Sequence, residues 1–275
     1  MAKPLTKPFR AVARRALAAA GLAAVPWEDW DELRTMRRVH KGDVVEIEAL
    51  YRHFVFPDLP QDPGRAEILH NLHGTTVREA VHIVHFLHRA LTVPGDICEF
   101  GCNEGATSRL LANEIRAAAP RRLWLFDSFE GLPEPTEKDR LIDDIAGLGS
   151  MARYRGLMRA REEQVKQKLA LVPFPPERTR IVKGWIDQTL AGPEVPAQVA
   201  FAYVDFDFYE PIRDALRFLD RAMQAGGFAV VDDYGFFSEG AQLAVDEFVA
   251  AASGRWRLHM PLPAAGHFCI LERTA

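Results

Sequence analysis

Carboxylate side chains are concentrated at the ends of two apolar segments in the second half of the chain. Asp205 and Asp207 follow one segment, and Asp232 and Asp233 follow the next. Carboxylates crowded together repel one another unless they are protonated or bridged by a cation. Oxygen-only ligation favours a hard ion such as Mg²⁺, which can hold an acceptor hydroxyl and lower its pKa. The pattern therefore predicts a Mg²⁺ site with a free carboxylate nearby as general base. For any single acid, the alternative of a helix cap facing water stays open.

A second set of residues follows an earlier apolar segment, in the sequence EFGCNEG at 99–105. Glycine lets the backbone approach a ligand closely. The spacing differs from the dinucleotide fingerprint GxGxxG, which disfavours the alternative of an NAD-linked Rossmann enzyme. A cofactor with an amino-acid moiety needs instead a carboxylate for its ammonium group, which Glu99 or Glu104 can supply. Asp127, after the next apolar segment, can accept hydrogen bonds from ribose hydroxyls.

Short apolar segments alternate with helical patterns from residue 96 onward, and this alternation predicts how the acidic residues are positioned. Strands separated by helices form a parallel sheet with helices on both faces, and ligands bind at the carboxyl ends of its strands. We therefore predict an α/β fold with a doubly wound, mostly parallel seven-stranded sheet. The predicted strands are Asp96 to Phe100, Arg122 to Phe126, Arg180 to Val182, Val199 to Val204, Phe228 to Val231, Trp256 to Leu258 and Phe268 to Leu271, and the predicted helices include Ala66 to Leu91, Thr107 to Ala119, Asp214 to Ala225 and Ala241 to Ala251.

Two segments lie outside this alternation. Residues 1–65 form a polar, proline-punctuated leader, which we interpret as an N-terminal helical extension preceding one domain over residues 66–275. Residues from about 133 to 176 form a charged insertion that is too long for an ordinary loop. Residues 151–170 within it are predicted to be helical, and we interpret the insertion as a lid over the site.

Composition excludes several classes of function. The formal net charge of −4 gives no reason to expect binding to nucleic acid. No apolar run approaches the roughly 20 residues of a membrane span. Three cysteines without a CxxC pair favour neither a disulfide framework nor a zinc site, and predict a cytoplasmic protein. His82, His85 and His88 share a helical face, but without cysteine partners they are predicted to be packing residues rather than zinc ligands.

Several segments resemble one family of enzymes. The sequence WLFDSFEGLP at 124–133 resembles the DSFEGLP segment of macrocin-type (TylF-like) sugar O-methyltransferases. KGW at 183–185 resembles their KGWF, DFDFYE at 205–210 resembles DGDLYES, and GGFAVVDDYG at 226–235 resembles GGFVIVDDYG. The similar segments follow one another in order from about residue 75 to 250, which makes the resemblance more specific than any single motif.

The resemblance implies a class I methyltransferase fold that uses S-adenosylmethionine (SAM) and Mg²⁺. It implies an acceptor hydroxyl on a sugar or glycosylated natural product, no nucleic-acid or membrane partner, and leaves a homo-oligomer open. Asp205, Asp232 and Asp233 would then bind the metal and Asp207 would be the general base, with Asp205 also at the catalytic centre. Trp185 would lie beside the adenine. The expected cofactor contacts are Thr75, Glu99, Gly101, Asn103, Glu104, Gly105, Ser108, Asp127, Ser128, Gly184, Trp185 and Asp205.

The chain departs from the family pattern at one position that faces the expected acceptor. Phe206 replaces the glycine that the family has between its two aspartates. A bulky side chain there predicts an acceptor different from the family's macrolide sugars. A catechol or phenol acceptor, which Mg²⁺-dependent methyltransferases also use, therefore remains the alternative.

Overall fold

The computed structural model describes residues 40–118, 120–262 and 265–275. The chain divides into two compact units, Met1–Val45 and Glu46–Ala275. Of the first unit only residues 40–45 are described, and they are helical. The predictions for the leader before residue 40 therefore lie outside the described residues. The second unit contains the whole of the predicted sheet.

Seven strands of the second unit form one sheet with the order β3-β2-β1-β4-β5-β7-β6. The first five are parallel, and β7 runs antiparallel to both β5 and β6. Every residue of the central strand β4 is buried, as expected for a parallel strand covered on both faces. The predicted doubly wound, mostly parallel seven-stranded sheet is confirmed. The strands are β1 (Asp96–Phe100), β2 (Leu123–Asp127), β3 (Thr179–Lys183), β4 (Val199–Val204), β5 (Met223–Val231), β6 (Trp256–His259) and β7 (Cys269–Arg273).

The strand register brings the predicted site residues to one edge. Phe100, the last residue of β1, pairs with Phe126 on one side and with Val204 on the other. Val204 pairs in turn with Val231 at the end of β5. The loops that follow β1, β2, β4 and β5 therefore start side by side. The strand order reverses between β1 and β4, which is where open α/β sheets bind ligands.

Amphipathic helices cover the two faces of the sheet. In α6 the residues Ile212, Leu216 and Leu219 recur at helical spacing and are fully buried, so this stripe faces the core. The helices are α1 (Pro63–Leu69), α2 (Val77–Ala90), α3 (Ala106–Ile115), α4 (Glu162–Leu169), α5 (Ile186–Thr189), α6 (Tyr209–Ala222) and α7 (Glu239–Ala251).

The single helix predicted over Ala66 to Leu91 is wrong, because α1 and α2 are separate helices. Gly74 between them has a φ of +86°. Thr76 then caps α2, since its Oγ1 accepts a hydrogen bond of 3.2 Å from the backbone N–H of Glu79. The apolar spacing is interrupted at this break, because His73, Gly74 and the threonines at 75 and 76 separate Leu72 from Val77.

Other boundaries also differ from prediction. Residues Met223 to Ala225 belong to β5 instead of the preceding helix, because α6 ends at Ala222 and Met223 has extended backbone angles. In the insertion, the helix predicted over 151–170 is interrupted. A 3₁₀ turn at Met151–Tyr154 is separated from α4 by residues with positive φ, Gly156 at +74° and Met158 at +58°.

A buried ion network anchors α1 to the domain. Arg65 has no solvent exposure and bonds through Nη2 to Glu114 of α3 at 2.7 Å, and His88 of α2 contacts the same Glu114 oxygen at 2.7 Å. Burial alone would raise the pKa of Glu114, but the hydrogen bonds from His88 and Arg65 lower it. His88 thus contacts Glu114, and the ring of His85 stacks on that of Phe56 with the two centroids 3.9 Å apart.

None of the helices in the described parts of the chain has the length and apolar character needed to cross a membrane.

Candidate active site

A cavity of about 650 Å³ opens at the carboxyl ends of the central strands. Gly105 and Ser108, both predicted to contact the cofactor, do not line this cavity. Gly105 directly precedes α3, and Ser108 is fully buried. All the other predicted site residues line the cavity, namely Thr75, Glu99, Gly101, Asn103, Glu104, Asp127, Ser128, Gly184, Trp185, Asp205, Asp207, Asp232 and Asp233.

Glu99 is the penultimate residue of β1 and is 1% exposed. Its carboxylate accepts a hydrogen bond from the hydroxyl of Ser108. Burial raises the pKa of Glu99 to about 8, although the hydrogen bond from Ser108 opposes this shift. A cation brought next to this buried acid would favour its ionised form, which is the property a binding site for an ammonium group requires.

Asp127 joins the loop after β1 to the loop after β2. One of its oxygens accepts a hydrogen bond of 2.8 Å from the backbone N–H of Asn103, and the other accepts one of 2.7 Å from the backbone N–H of Phe129. Burial raises the pKa of Asp127, and these two backbone bonds oppose the rise. A carboxylate has about four acceptor sites, so beside its bonds to the backbone Asp127 can still accept a hydrogen bond from a ligand hydroxyl.

Gly101 is required where the ends of β1 and β4 approach each other. Its φ is +88°, and a Cβ there would overlap the carbonyl oxygen of Asp205 and lie 2.8 Å from the carbonyl carbon. Gly105, with φ +81°, meets α4 of the insertion in a similar way, since a Cβ would lie 3.0 Å from Cα of Val165. The glycines of the loop thus allow two close approaches of backbone, one to the acidic loop and one to the insertion.

The loop after β3 closes the far end of the cavity. The backbone N–H of Gly184 donates to the carbonyl of Asp127 at 2.9 Å, which holds this loop against the end of β2. Trp185 comes next in the chain and precedes α5, and its side chain lines the cavity. Trp185 and Asp127 therefore lie at the same end of the cavity.

The aspartates after β4 and β5 converge on the other side of Gly101. One carboxylate oxygen from each of Asp205, Asp207 and Asp233 lies within 4.8 Å of the other two. Asp207 and Asp233 have positive φ values of 61° and 57°, so both loops turn sharply at these residues. This trio differs from the predicted metal set in containing Asp207 where Asp232 was expected.

The electrostatics of the cluster show how strongly its charges repel. Burial raises the pKa of Asp207 to about 6. Burial and then the charge of Asp207 raise the pKa of Asp233 well above its ordinary range, and burial with the charge of Asp232 does the same for Asp205. The ion pairs among the described residues include none with these aspartates. The cluster thus favours shared protons or a bound cation.

Asp232 is held by two residues that sequence reasoning missed. The hydroxyl of Tyr203 donates to Asp232 Oδ2 at 2.7 Å and lies 3.3 Å from Oε1 of Glu79 on α2. Burial and the charge of Asp232 raise the pKa of Glu79 well above its ordinary value. The sequence carried a signal for Tyr203, since a tyrosine two residues before Asp205 points to the same side of the sheet. Glu79 carried none, because its place in the first turn of α2 is usual for a helix-capping acid.

Apolar side chains surround the acidic cluster. Phe206, Phe236 and Phe237 line the cavity, and Phe237 is fully buried against Tyr154 of the insertion. Ile145 and Met158 of the insertion complete the lining on this side.

The donor set of the acidic cluster fits a hard divalent cation. Its ligand atoms are all carboxylate oxygens, which Mg²⁺ prefers over nitrogen or sulfur. A cation would also neutralise charges that otherwise raise one another's pKa. The cluster and the loop around Glu99 and Gly101 open into the same cavity. The arrangement can therefore bring a cofactor, a cation and an acceptor together.

Comparison with known proteins gives one family, described as "Macrocin-O-methyltransferase (TylF)", which matches residues 75–265. Two curated relatives are each 33% identical. One is 8-demethyl-8-(2,3-dimethoxy-alpha-L-rhamnosyl)-tetracenomycin-C 4'-O-methyltransferase of Streptomyces olivaceus, matched over 52% of this chain and 54% of the relative. The other is demethyldecarbamoylnovobiocin O-methyltransferase of Streptomyces niveus, matched over 58% and 59%. The chain thus spans between half and three fifths of the length of these relatives.

Solved structures share the fold. The O-methyltransferase NovP is 26% identical with a TM-score of 0.62, covering 73% of this chain and 81% of NovP. The calicheamicin methyltransferase CalS11 is 18% identical with a TM-score of 0.58, covering 99% of this chain and 98% of CalS11. At that identity the second likeness concerns the fold alone.

Proposed function

Since the chain belongs to the macrocin O-methyltransferase (TylF) family, we propose that it transfers a methyl group from SAM to a hydroxyl of a sugar or glycosylated natural product. We propose further that the reaction depends on Mg²⁺. One observation carries both statements. A single cavity joins the loop around Glu99 and Gly101 to the carboxylate cluster of Asp205, Asp207 and Asp233.

On the cofactor side, the residues bind and orient. Bound SAM supplies an electrophilic methyl group on a sulfonium. Glu99 receives its ammonium group, and Asp127 accepts hydrogen bonds from its ribose hydroxyls. Trp185, at the end of the cavity where Asp127 lies, packs against the adenine. The close approach of Gly101 to Asp205 then sets the cofactor loop directly beside the acidic cluster.

On the acceptor side, we propose that Asp205, Asp232 and Asp233 hold the cation and that Asp207 takes the proton from the acceptor hydroxyl. A bound Mg²⁺ supplies positive charge that lowers the pKa of that hydroxyl. Distance alone favours a second assignment in which Asp207 replaces Asp232 among the ligands. The two assignments predict opposite effects of Asp207→Asn and Asp232→Asn on Mn²⁺ affinity.

The acceptor is proposed to be a sugar hydroxyl, because one curated relative of 33% identity is named as the 4'-O-methyltransferase of a rhamnosyl-bearing tetracenomycin. The aromatic wall of Phe206, Phe236 and Phe237 favours the second candidate, a phenol or catechol, which would pack flat against such rings. The two candidates differ in the chemistry of the acceptor and share the cofactor, the cation and the base.

A methyl-transfer assay tests the proposal. Purified protein, labelled SAM and Mg²⁺ are incubated with rhamnosylated and other glycosylated acceptors and with catechols, and methylated products are identified by mass spectrometry. We expect methylated glycosides, loss of turnover with excess chelator, and recovery when Mg²⁺ is added back. Methylation of catechols alone would replace the sugar proposal, and full turnover in excess chelator would contradict Mg²⁺ dependence.

The cofactor is tested separately by calorimetry. SAM or its demethylated product should bind in roughly the micromolar range or tighter and raise the melting temperature by mass action. NAD should produce no heat of binding. Binding of NAD without binding of SAM would favour the nicotinamide-linked alternative.

The remaining predictions stay proposals. We propose that residues 1–65 are an extension of a catalytic domain over 66–275, and that residues 133–176 act as its lid. The protein is proposed to act in the cytoplasm on a small-molecule acceptor. The three cysteines, which are buried and unpaired, are compatible with a reducing compartment.

A further inference from the structure

Tyr203 is a polar side chain in a strand that is otherwise apolar. Its neighbours in β4 are Phe201, Ala202 and Val204, and all of them are fully buried. Tyr203 has no solvent exposure either. A phenylalanine would fill the same space without bringing a hydroxyl into the interior, where a buried polar group must find a partner. The location of that hydroxyl therefore suggests its role.

The Tyr203 hydroxyl lies among oxygens of three carboxylates. It is 2.7 Å from Oδ2 of Asp232, 3.3 Å from Oε1 of Glu79 and 3.5 Å from Oδ2 of Asp205. A phenol has one proton to donate, and the shortest distance assigns it to Asp232. The hydroxyl thus bridges the ends of β4 and β5 at the point where their acidic loops begin.

Asp232 is consequently fixed at both of its carboxylate oxygens. Oδ2 accepts from Tyr203, and Oδ1 accepts from the backbone N–H of Asp233 at 2.8 Å. Because each oxygen of Asp232 accepts from a different donor, the two hydrogen bonds together fix the orientation of the carboxylate. Hydrogen bonds of this kind orient the carboxylates of metal sites and are needed for full metal affinity.

We propose that Tyr203 is a positioning residue, which orients Asp232 and holds it beside Asp205 so that the acidic cluster binds its cation. This inference rests on the proposed cation dependence and on the proposed assignment of Asp232 as a ligand of the cation. It assigns Tyr203 no contact with cofactor, acceptor or reacting atoms. Its 2.7 Å hydrogen bond to Asp232, rather than the 3.5 Å contact with Asp205, carries the proposed effect.

The test compares Tyr203→Phe with Tyr209→Phe. Tyr209 is a suitable control, because its hydroxyl also donates to a carboxylate, Glu247 at 2.5 Å, and its side chain does not line the cavity. Cation affinity is measured with Mn²⁺ by electron paramagnetic resonance, and SAM affinity by calorimetry without a cation. We expect Tyr203→Phe to weaken Mn²⁺ binding about 10–100-fold. SAM affinity without a cation should stay unchanged, and Tyr209→Phe should behave as wild type in both measurements.

A double-mutant cycle separates positioning from a general effect on the fold. If Tyr203 acts through Asp232, then Tyr203→Phe should change Mn²⁺ affinity less than about twofold in the background of Asp232→Asn. If the single Tyr203→Phe variant fails to fold, the comparison of Asp232→Asn with the double variant still tests the inference, because a further loss of Mn²⁺ affinity in the double variant would contradict a route through Asp232.

Three outcomes would overturn the inference. Unchanged Mn²⁺ affinity in folded Tyr203→Phe would refute it and leave the proposed function intact. A full additional loss of affinity in the Asp232→Asn background would show that Tyr203 acts by another route. Absence of Mn²⁺ and Mg²⁺ binding by the wild-type protein would refute this inference and the proposed cation dependence together.

Discussion

Gly101 brings the cofactor loop and the acidic loop together, so replacing it should damage both stability and binding. In Gly101→Ala, a side chain must adopt a φ of +88°, which costs ~1–2 kcal/mol. The new Cβ would also overlap the carbonyl of Asp205, and overpacking of this kind costs ~1–3 kcal/mol. The free energy of unfolding should therefore fall by about 2–5 kcal/mol in total. For a domain of this size the melting temperature should fall by roughly 4–20 °C.

Gly254→Ala is the matched control for this prediction. Gly254 has a similar φ of +79°, but a Cβ there would meet nothing within 4 Å, so only the conformational cost of ~1–2 kcal/mol applies. Urea unfolding gives the stability of both variants, and calorimetry gives their SAM affinity. We expect Gly101→Ala to be the less stable variant and to bind SAM more weakly than wild type. Equal stability of the two variants, with normal SAM binding by Gly101→Ala, would refute the close approach of the two strand ends.

Three further predictions concern the acids and the insertion. Asp207→Asn should keep Mn²⁺ and SAM binding but lose turnover by about 10²–10⁴-fold, whereas Asp232→Asn should weaken Mn²⁺ binding; the reverse result would make Asp207 the ligand. Glu99 stays protonated in the folded protein up to its pKa of about 8, whereas in the unfolded chain it ionises at about pH 4.3. The free energy of unfolding should therefore fall by ~1.4 kcal/mol per pH unit as the pH rises from about 4.3 towards 8. Urea unfolding at several pH values should show a flatter profile for Glu99→Gln, and identical profiles would contradict the raised pKa. Amide exchange in residues 133–176 should slow when SAM and an acceptor bind, and equal exchange with and without ligands would exclude a lid that orders over them.

The sequence determined the fold class through alternation. Apolar segments such as Val199–Val204 are short and continuous, which predicts buried parallel strands, and acids follow them directly. In a doubly wound sheet the carboxyl ends of such strands meet at one edge. Chain order alone therefore placed Glu99, Asp127, Asp205 and Asp232 around one cavity, as the structure confirms.

Periodicity was less informative about where helices end. Residues 66 to 91 were predicted to form one helix on the apolar positions from Val77 onward, yet α1 and α2 are separated by Gly74 and the cap at Thr76. Helix breaks depend on single caps and positive φ values, to which a pattern averaged over many residues is insensitive. The interruption between Tyr154 and α4 at Gly156 has the same cause.

Tertiary structure alone decided which carboxylates are neighbours. The sequence placed four aspartates in two loops, but the positive φ of Asp207 and Asp233 turns their side chains towards Asp205 and leaves Asp232 with Tyr203. The structure also brought Glu79 from α2, far away in the chain, to the same hydroxyl. The fold class follows from the short apolar segments, which are visible in the sequence. The direction of a side chain in a loop depends on backbone angles and on contacts between distant segments, which are set only when the chain is folded.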